Sequence, residues 1–325
     1  MTQRVVSRIL QHRRALGAVA AHKRALSTVP SMPNPDQHCA DIVRKADYDG
    51  YLCSLLATPR TARPSLLALR AFNVEIASIK EAVRNNTRSG TMRMQWWMDV
   101  VNAVYSGGNG GDARVLPPEP VCVALNQAVQ QHGLTRRWLE RMIAARRHEL
   151  EAPGWTSIAD LETYAEHTAS SLLYLSLEAA GVADERAEHA AGHIGKAVGI
   201  CTLLRAVQHH SAQKLSVLPG QLLRKHLVAS TVLFNGARTE AEAEALAACF
   251  YDVACVAKGH MEQGQELASG LSNDAFRALL PGVRAAWYLE ALEKAGFNAF
   301  DASLTPRSWI PFQFRVARAA MTHKF

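Results

Sequence analysis

Apolar residues recur at intervals of three and four along most of the chain, and no segment alternates apolar with polar residues as a half-buried strand requires. That periodicity leaves room for little besides helices. It runs through residues 41–56, 64–83, 92–105, 121–132, 136–150, 158–180, 186–208, 240–268 and 273–295. The breaks carry residues that end helices: Asn85-Asn86, the run from Gly107 to Gly111, Pro117-Pro118, Pro153-Gly154 and Asn235-Gly236. A chain of 325 residues, 48% hydrophobic, can bury a large core. With no internal repeat and no long internal linker, the expectation is one all-α helical bundle.

The formal net charge of +7 is concentrated at one end. Arg4, Arg8, Arg13, Arg14, Lys23 and Arg24 fall within residues 1–35, which hold no acid, so the body is left near +1. A nearly neutral body excludes nucleic acid as the expected partner. An acid-free, arginine-rich segment in which Val5, Ile9 and Leu16 can share one side has the composition of a mitochondrial transit peptide. Arg24-Ala25-Leu26-Ser27 places processing near residue 26, which gives a transit peptide over 1–26, a disordered linker over 27–40 and the folded domain over 41–325. A basic disordered tail is the plain alternative. Residues 171–183 come nearest to a membrane span but are interrupted by Glu178 and fall short of the ~18 apolar residues a span needs. The six cysteines show no Cys-x-x-Cys spacing and read as reduced, packed thiols. The glycine run at 107–111 lacks the Lys-Ser/Thr of a phosphate loop and reads as a surface turn.

No carboxylate occurs between Glu188 and Glu240. Within that stretch Gly195 and Gly199 each cost a helix up to about 1 kcal/mol relative to Ala, so they serve close packing or make room for a ligand. The run from His193 through Leu204-Arg205-Ala206-Val207-Gln208-His209-His210 to Val217-Leu218-Pro219 resembles the second signature helix of the squalene/phytoene synthase family, an all-α isoprenoid-synthase fold. Active members of that family carry Asp-Val-Gly-Glu-Asp after Leu-Arg. The frame is kept here, but the acids are replaced, with Ala206 and His210 at the two outer positions.

Ala68-Leu69-Arg70-Ala71-Phe72-Asn73 resembles the opening of the family's first signature helix, which continues in active enzymes to Asp-x-x-x-Asp. Two aspartates four residues apart lie about 40° apart around a helix and can share Mg²⁺ with a diphosphate. Those positions are Ala77 and Glu81, so one acid of the pair remains. Glu75 lies on another side of the helix and does not replace the missing partner. The resemblance therefore implies a catalytically silent member, with no cofactor, no metal and no catalytic residue.

Met92-Arg93-Met94-Gln95-Trp96-Trp97, Tyr164-Ala165-Glu166 and Ser170-Ser171 also stand in family order, and they are most similar to a mitochondrial branch of the family. That likeness implies a role in assembling respiratory complex I, in contact with complex I subunits or other assembly factors. It also implies a matrix location peripheral to the inner-membrane lipid. The vestigial pocket it suggests comprises Phe72, Asn73, Glu81, Arg93, Gln95, Trp96, Tyr164, Ser171 and Arg205.

Two other classes of function stand beside it. One is an active prenyl diphosphate transferase with Glu81, His209 and His210 as atypical metal ligands; the other is an isoprenoid or lipid carrier. Phe72, Trp96, Trp97, Tyr164 and Tyr174 either line a cavity or pack as core. Arg205 and Lys196 either hold an anionic headgroup or are solvated. His189 and His193, four apart, can face one metal but have no identifiable third ligand, and the adjacent His209 and His210 point apart. No Gly-x-Ser-x-Gly elbow or assembled triad is present. The C-terminal segment from Ser308 to Arg318 mixes large apolar residues with arginines, as either a membrane-surface contact or a helix packed on the domain would.

Overall fold

Helix boundaries follow the available caps. The periodic stretch 41–56 is two helices, α1 (Pro35–Ala46) and α2 (Tyr48–Leu56), because Asp47 leaves the helical conformation and accepts a hydrogen bond from the Gly50 amide at 2.9 Å. A short turn (Arg60–Ala62) leads into α3 (Arg63–Val83), and the Asn86 side chain caps α4 (Thr87–Tyr105). Then come α5 (Pro120–His132), closed by Gly133 at φ 62°, and α6 (Arg136–Glu151). The computed structural model describes residues 34–325 except 84–85, 107–115, 306–307 and 309. The transit peptide expected over 1–26 and the glycine turn at 107–111 lie outside the described residues.

The folded domain begins earlier than expected, at Pro35. Residues 35–40, assigned above to a linker, belong to α1, and Cys39 is fully buried there in the first core cluster. The helix starts early because Pro35 is suited to a first turn and Asp36 complements the positive helix end.

The expected helix 158–180 opens with a Ser157 capping box as α7 (Ile158–Ala165), widens into a π segment (Glu166–Ser170) and resumes as α8 (Ser171–Ala179). Then α9 (Glu185–Arg205) ends at Ala206, ahead of the short helices α10 (Val207–Ala212), α11 (Gly220–Lys225) and α12 (Ser230–Asn235). A Thr239 capping box starts α13 (Glu240–Ala268). The expected helix 273–295 is split into α14 (Asn273–Ala278) and α15 (Gly282–Lys294) because Pro281 has no amide to continue the ladder. The last helix, α16, spans Ile310–Thr322.

Helix α9 is the centre of the bundle, packed on α13, the π segment, α15 and α8. Its glycines are there for close approach. A Cβ on Gly195 would stand 2.3 Å from the Ser170 Cα, and one on Gly199 would stand 2.6 Å from the Ala165 Cβ. Three apolar clusters surround this axis. The first holds Leu69, Phe72, Trp97 and Leu139; the second holds Ile200, Leu204 and Phe250; the third holds Ile194, Phe276 and Phe312. Phe72 meets Trp97 edge-on at 5.2 Å, so these two aromatics are core. Among the described residues no helix is long and apolar enough to cross a membrane.

Candidate functional site

A cavity of about 750 Å³ opens where members of the first cluster, Ile76, Met94 and Leu172, face members of the second, Cys201, Ala285 and Tyr288. Helix α3 supplies Asn73, Ala77, Lys80 and Glu81; α9 and its end supply Val198, Gly199, Arg205 and Ala206; α15 supplies Arg284. Tyr164, Thr168 and Ala169 come from α7 and the π segment. The volume falls within the range of about 300–1,000 Å³ usual for small-molecule sites.

Two polar clusters stand on its wall. In one, Glu149 accepts from Lys80 Nζ at 2.6 Å and from Tyr164 OH at 2.6 Å, while Arg146 donates to Asn73 Oδ1 at 2.7 Å. Glu149, which is buried, thus has both oxygens occupied by donors of this chain. Burial, and then the charge of Glu149, pushes the Tyr164 phenol up. His210 lies beside this cluster and is held below its ordinary 6.5, first by burial and then by Lys80.

In the other cluster Arg205 and Arg284 converge on one oxygen of Asp49, each at 3.3 Å, and Arg70 donates to Asp47 at 2.8 Å. Burial raises the Asp49 carboxyl, against the opposing pull of the two guanidinium groups. Burial, reinforced by Arg205, brings Arg284 down to about 10. Its guanidinium also lies over Trp287 at 4.9 Å. Among the described residues the second oxygen of Asp49 and the hydroxyl of Tyr288, which is 5% exposed, have no hydrogen-bond partner.

The four positions singled out by the signature comparison, Ala77, Glu81, Ala206 and His210, all border the cavity. Their two helices meet where His209 Nε2 approaches Glu81 Oε1 at 3.1 Å, a pair more than half exposed. Asn73, Tyr164 and Arg205 border it too. Phe72 does not, because it is core, and Ser171 is fully buried and donates to the Glu166 carbonyl. Arg93, Gln95 and Trp96 are exposed on α4, whose cavity contribution is Met94. Lys196, considered above for an anion, instead pairs with Glu166 at 3.7 Å away from the cavity wall, and Tyr174 donates to the same carboxylate at 2.7 Å. His193 faces His260 at 3.0 Å, and His260 in turn reaches Glu162 at 2.7 Å. The His209 and His210 rings lie edge to face, with centroids 5.7 Å apart and planes 76° apart.

Sequence reasoning missed Asp49, Lys80, Glu149, Arg284 and Tyr288 as cavity residues. The partners of the four charged ones lie in remote parts of the chain, and the last third, which holds Arg284 and Tyr288, shows only generic helical periodicity. The one available signal was that Lys80 and Glu149 fall on helices whose apolar residues turn toward the core.

Chemically, the wall carries Arg70, Lys80, Arg146, Arg205 and Arg284 against Asp47, Asp49, Glu81 and Glu149, one positive charge in excess. That balance favours an anion over a bare divalent cation, by one formal charge. Among the described residues no three His, Cys, Asp or Glu side chains gather as metal ligands.

The squalene/phytoene synthase family profile matches residues 43–316. The chain is 38% identical over 297 residues to NADH dehydrogenase (ubiquinone) complex I, assembly factor 6, of Rattus norvegicus, covering 91% of this chain and 85% of that one. It is 36% identical to the protein of that name from Homo sapiens, covering 89% and 83%. A presqualene diphosphate synthase of Rhodopseudomonas palustris is 22% identical over 63% of this chain and 68% of its own. Among solved structures, a dehydrosqualene synthase superposes with TM-score 0.72 at 18% identity, over 89% of this chain and 96% of that one. A squalene synthase from Alicyclobacillus acidocaldarius gives TM-score 0.67 at 16% identity, over 82% and 95%. Family profile, near-full-length relatives and shared helical architecture agree: this chain belongs to the squalene/phytoene synthase family.

Proposed function

We propose that this chain acts in the assembly of mitochondrial respiratory complex I (NADH:ubiquinone oxidoreductase) as a non-catalytic member of its family. On this reading residues 1–26 direct import, and the folded domain works in the matrix at the inner membrane through contacts with complex I subunits or other assembly factors. The observation that carries it is the near-full-length similarity to complex I assembly factor 6 proteins. The cavity chemistry supports its non-catalytic part. Metal-assisted diphosphate chemistry relies on carboxylates free to hold Mg²⁺, whereas Asp47, Asp49, Glu81 and Glu149 each meet a cation or histidine of this chain. Removing the protein from mitochondria lowers assembled complex I and leaves other respiratory complexes in place; a normal complex I level refutes the role. The catalytic alternative, with Glu81, His209 and His210 as ligands, is tested by incubating the pure protein with prenyl diphosphates and Mg²⁺ or Mn²⁺. Diphosphate release that disappears in Glu81→Ala and His210→Ala revives it.

A second reading, compatible with the first, is that the cavity holds an isoprenoid or another lipid without turning it over. It is favoured by the unpartnered Tyr288 hydroxyl and the two guanidinium groups on Asp49, with Val198, Ile76 and Leu172 as apolar wall. Native mass spectrometry of gently purified protein detects such a lipid; a mass equal to the bare chain argues against it.

A further inference from the structure

Helix α16 is apolar on two opposite sides. Phe312, Val316 and Ala319 are buried in the third core cluster, as one apolar stripe of a surface helix should be. On the far side, Ile310, Phe314 and Met321 are 59%, 73% and 75% exposed. At 100° per residue these three lie within about 40° of one another, on a line along a helix about 20 Å long. Three large side chains on one such line reach the same depth in a flat surface when the helix lies parallel to it.

Charge identifies the surface. Residues 302–325 contain Arg307, Arg315, Arg318 and Lys324 and no acid, whereas residues 36–301 hold 26 Lys and Arg against 29 Asp and Glu. The cationic end of an otherwise slightly acidic body is thus the segment that carries the exposed apolar line. Arg318 is exposed and next to that line; Arg315, behind it, pairs with Glu290 at 3.1 Å. An apolar stripe edged by cations is the pattern of a helix that lies in the interface of an anionic bilayer.

We propose that α16 is the membrane-docking face of this protein, inserting Ile310, Phe314 and Met321 among anionic lipids with Arg318 at headgroup level. It deepens the inner-membrane placement proposed above and rests on that reading for its biological setting, while the physical contact stands on the helix alone.

The test is co-sedimentation of the full chain with phosphatidylcholine vesicles, with and without phosphatidylglycerol. The acid-free residues 1–35 can also attract anionic lipid, so the variants decide. Phe314→Asp with Met321→Asp weakens binding to anionic vesicles about tenfold or more, and Arg318→Ala about fivefold, the latter effect fading in high salt. Leu227→Asp, at a site 92% exposed but outside the line, leaves binding unchanged. All variants keep the wild-type melting temperature, because the altered side chains are solvent-facing. The proposal is overturned if the double variant binds as wild type does, or if Leu227→Asp weakens binding equally. It is also overturned if light scattering shows that the double variant disrupts a dimer while vesicle binding persists. A wild-type chain that ignores vesicles, yet whose removal still lowers assembled complex I, sinks the docking face and leaves the assembly role standing.

Discussion

The two polar clusters on the cavity wall use similar residues to different ends. Around Glu149 the accounts are closed: both carboxylate oxygens are taken, by Lys80 and Tyr164, and the neighbouring guanidinium of Arg146 is bonded to Asn73. Around Asp49 they are open: two guanidinium groups share one oxygen, the other oxygen has no hydrogen bond among the described residues, and the Tyr288 hydroxyl beside them has none either. The first cluster is built to hold α3, α6 and α7 together. Each carries one cation in excess, but only the second has unused hydrogen-bonding capacity, which is what a polar ligand requires.

Substitutions in the two clusters separate stability from binding. The largest effect is expected at Glu149→Ala, which leaves Lys80 and the Tyr164 hydroxyl half-buried without their acceptor and costs about 3–5 kcal/mol. Urea denaturation measures it, and a loss below about 1 kcal/mol would mean the first cluster is not structural. Next comes Asp49→Asn, which frees two guanidinium groups from a carboxylate and costs about 1–3 kcal/mol. Unlike the first substitution it tightens binding of an alkyl phosphate, read by calorimetry; weaker binding would contradict an anion-seeking end.

A pH series gives a smaller effect. His210 is held below 6.5 by burial, so the folded state favours its neutral form and the unfolded state binds the proton more readily. Its contribution is full above pH 6.5 and is lost as pH falls from there through the lowered folded value. His210→Gln should make the acid-side decline shallower without abolishing it, since His132, His167 and His193 are shifted the same way, each chiefly by burial. An unchanged slope would place the effect elsewhere. The smallest stability change belongs to Tyr288→Phe. Removing a hydroxyl that has no partner should alter stability by less than about 1 kcal/mol, yet reduce retention of any co-purifying amphiphile. A large loss of stability would show that the hydroxyl is bonded within the fold.

Legibility in the sequence divided along the same physical line. The positions of most helices were readable because amphipathic periodicity is local: the span 240–268 was read from it and is the helix Glu240–Ala268. The split at Asp47 was not, because the apolar periodicity runs straight through it and only the cap on Gly50 marks it; the π segment at Glu166–Ser170, where Ser170 nests against Gly195 of α9, leaves no trace in the periodicity. Of the cavity residues, Ala77, Glu81, Ala206 and His210 were found through signature spacing. Arg93, Gln95 and Trp96 were placed there by the same resemblance and turned out to face outward, since periodicity says which residues share a side but not what that side meets.

By itself the sequence determined a helical bundle, its family frame and the scarcity of acids between residues 188 and 240, all properties of neighbours along the chain. The tertiary structure decided what the remaining charges do. Asp49 meets Arg205 and Arg284, and Lys80 meets Glu149, across separations that no local rule spans. Whether a carboxylate holds a metal or a guanidinium depends on which helix packs opposite, and that is set by burying the whole apolar surface at once.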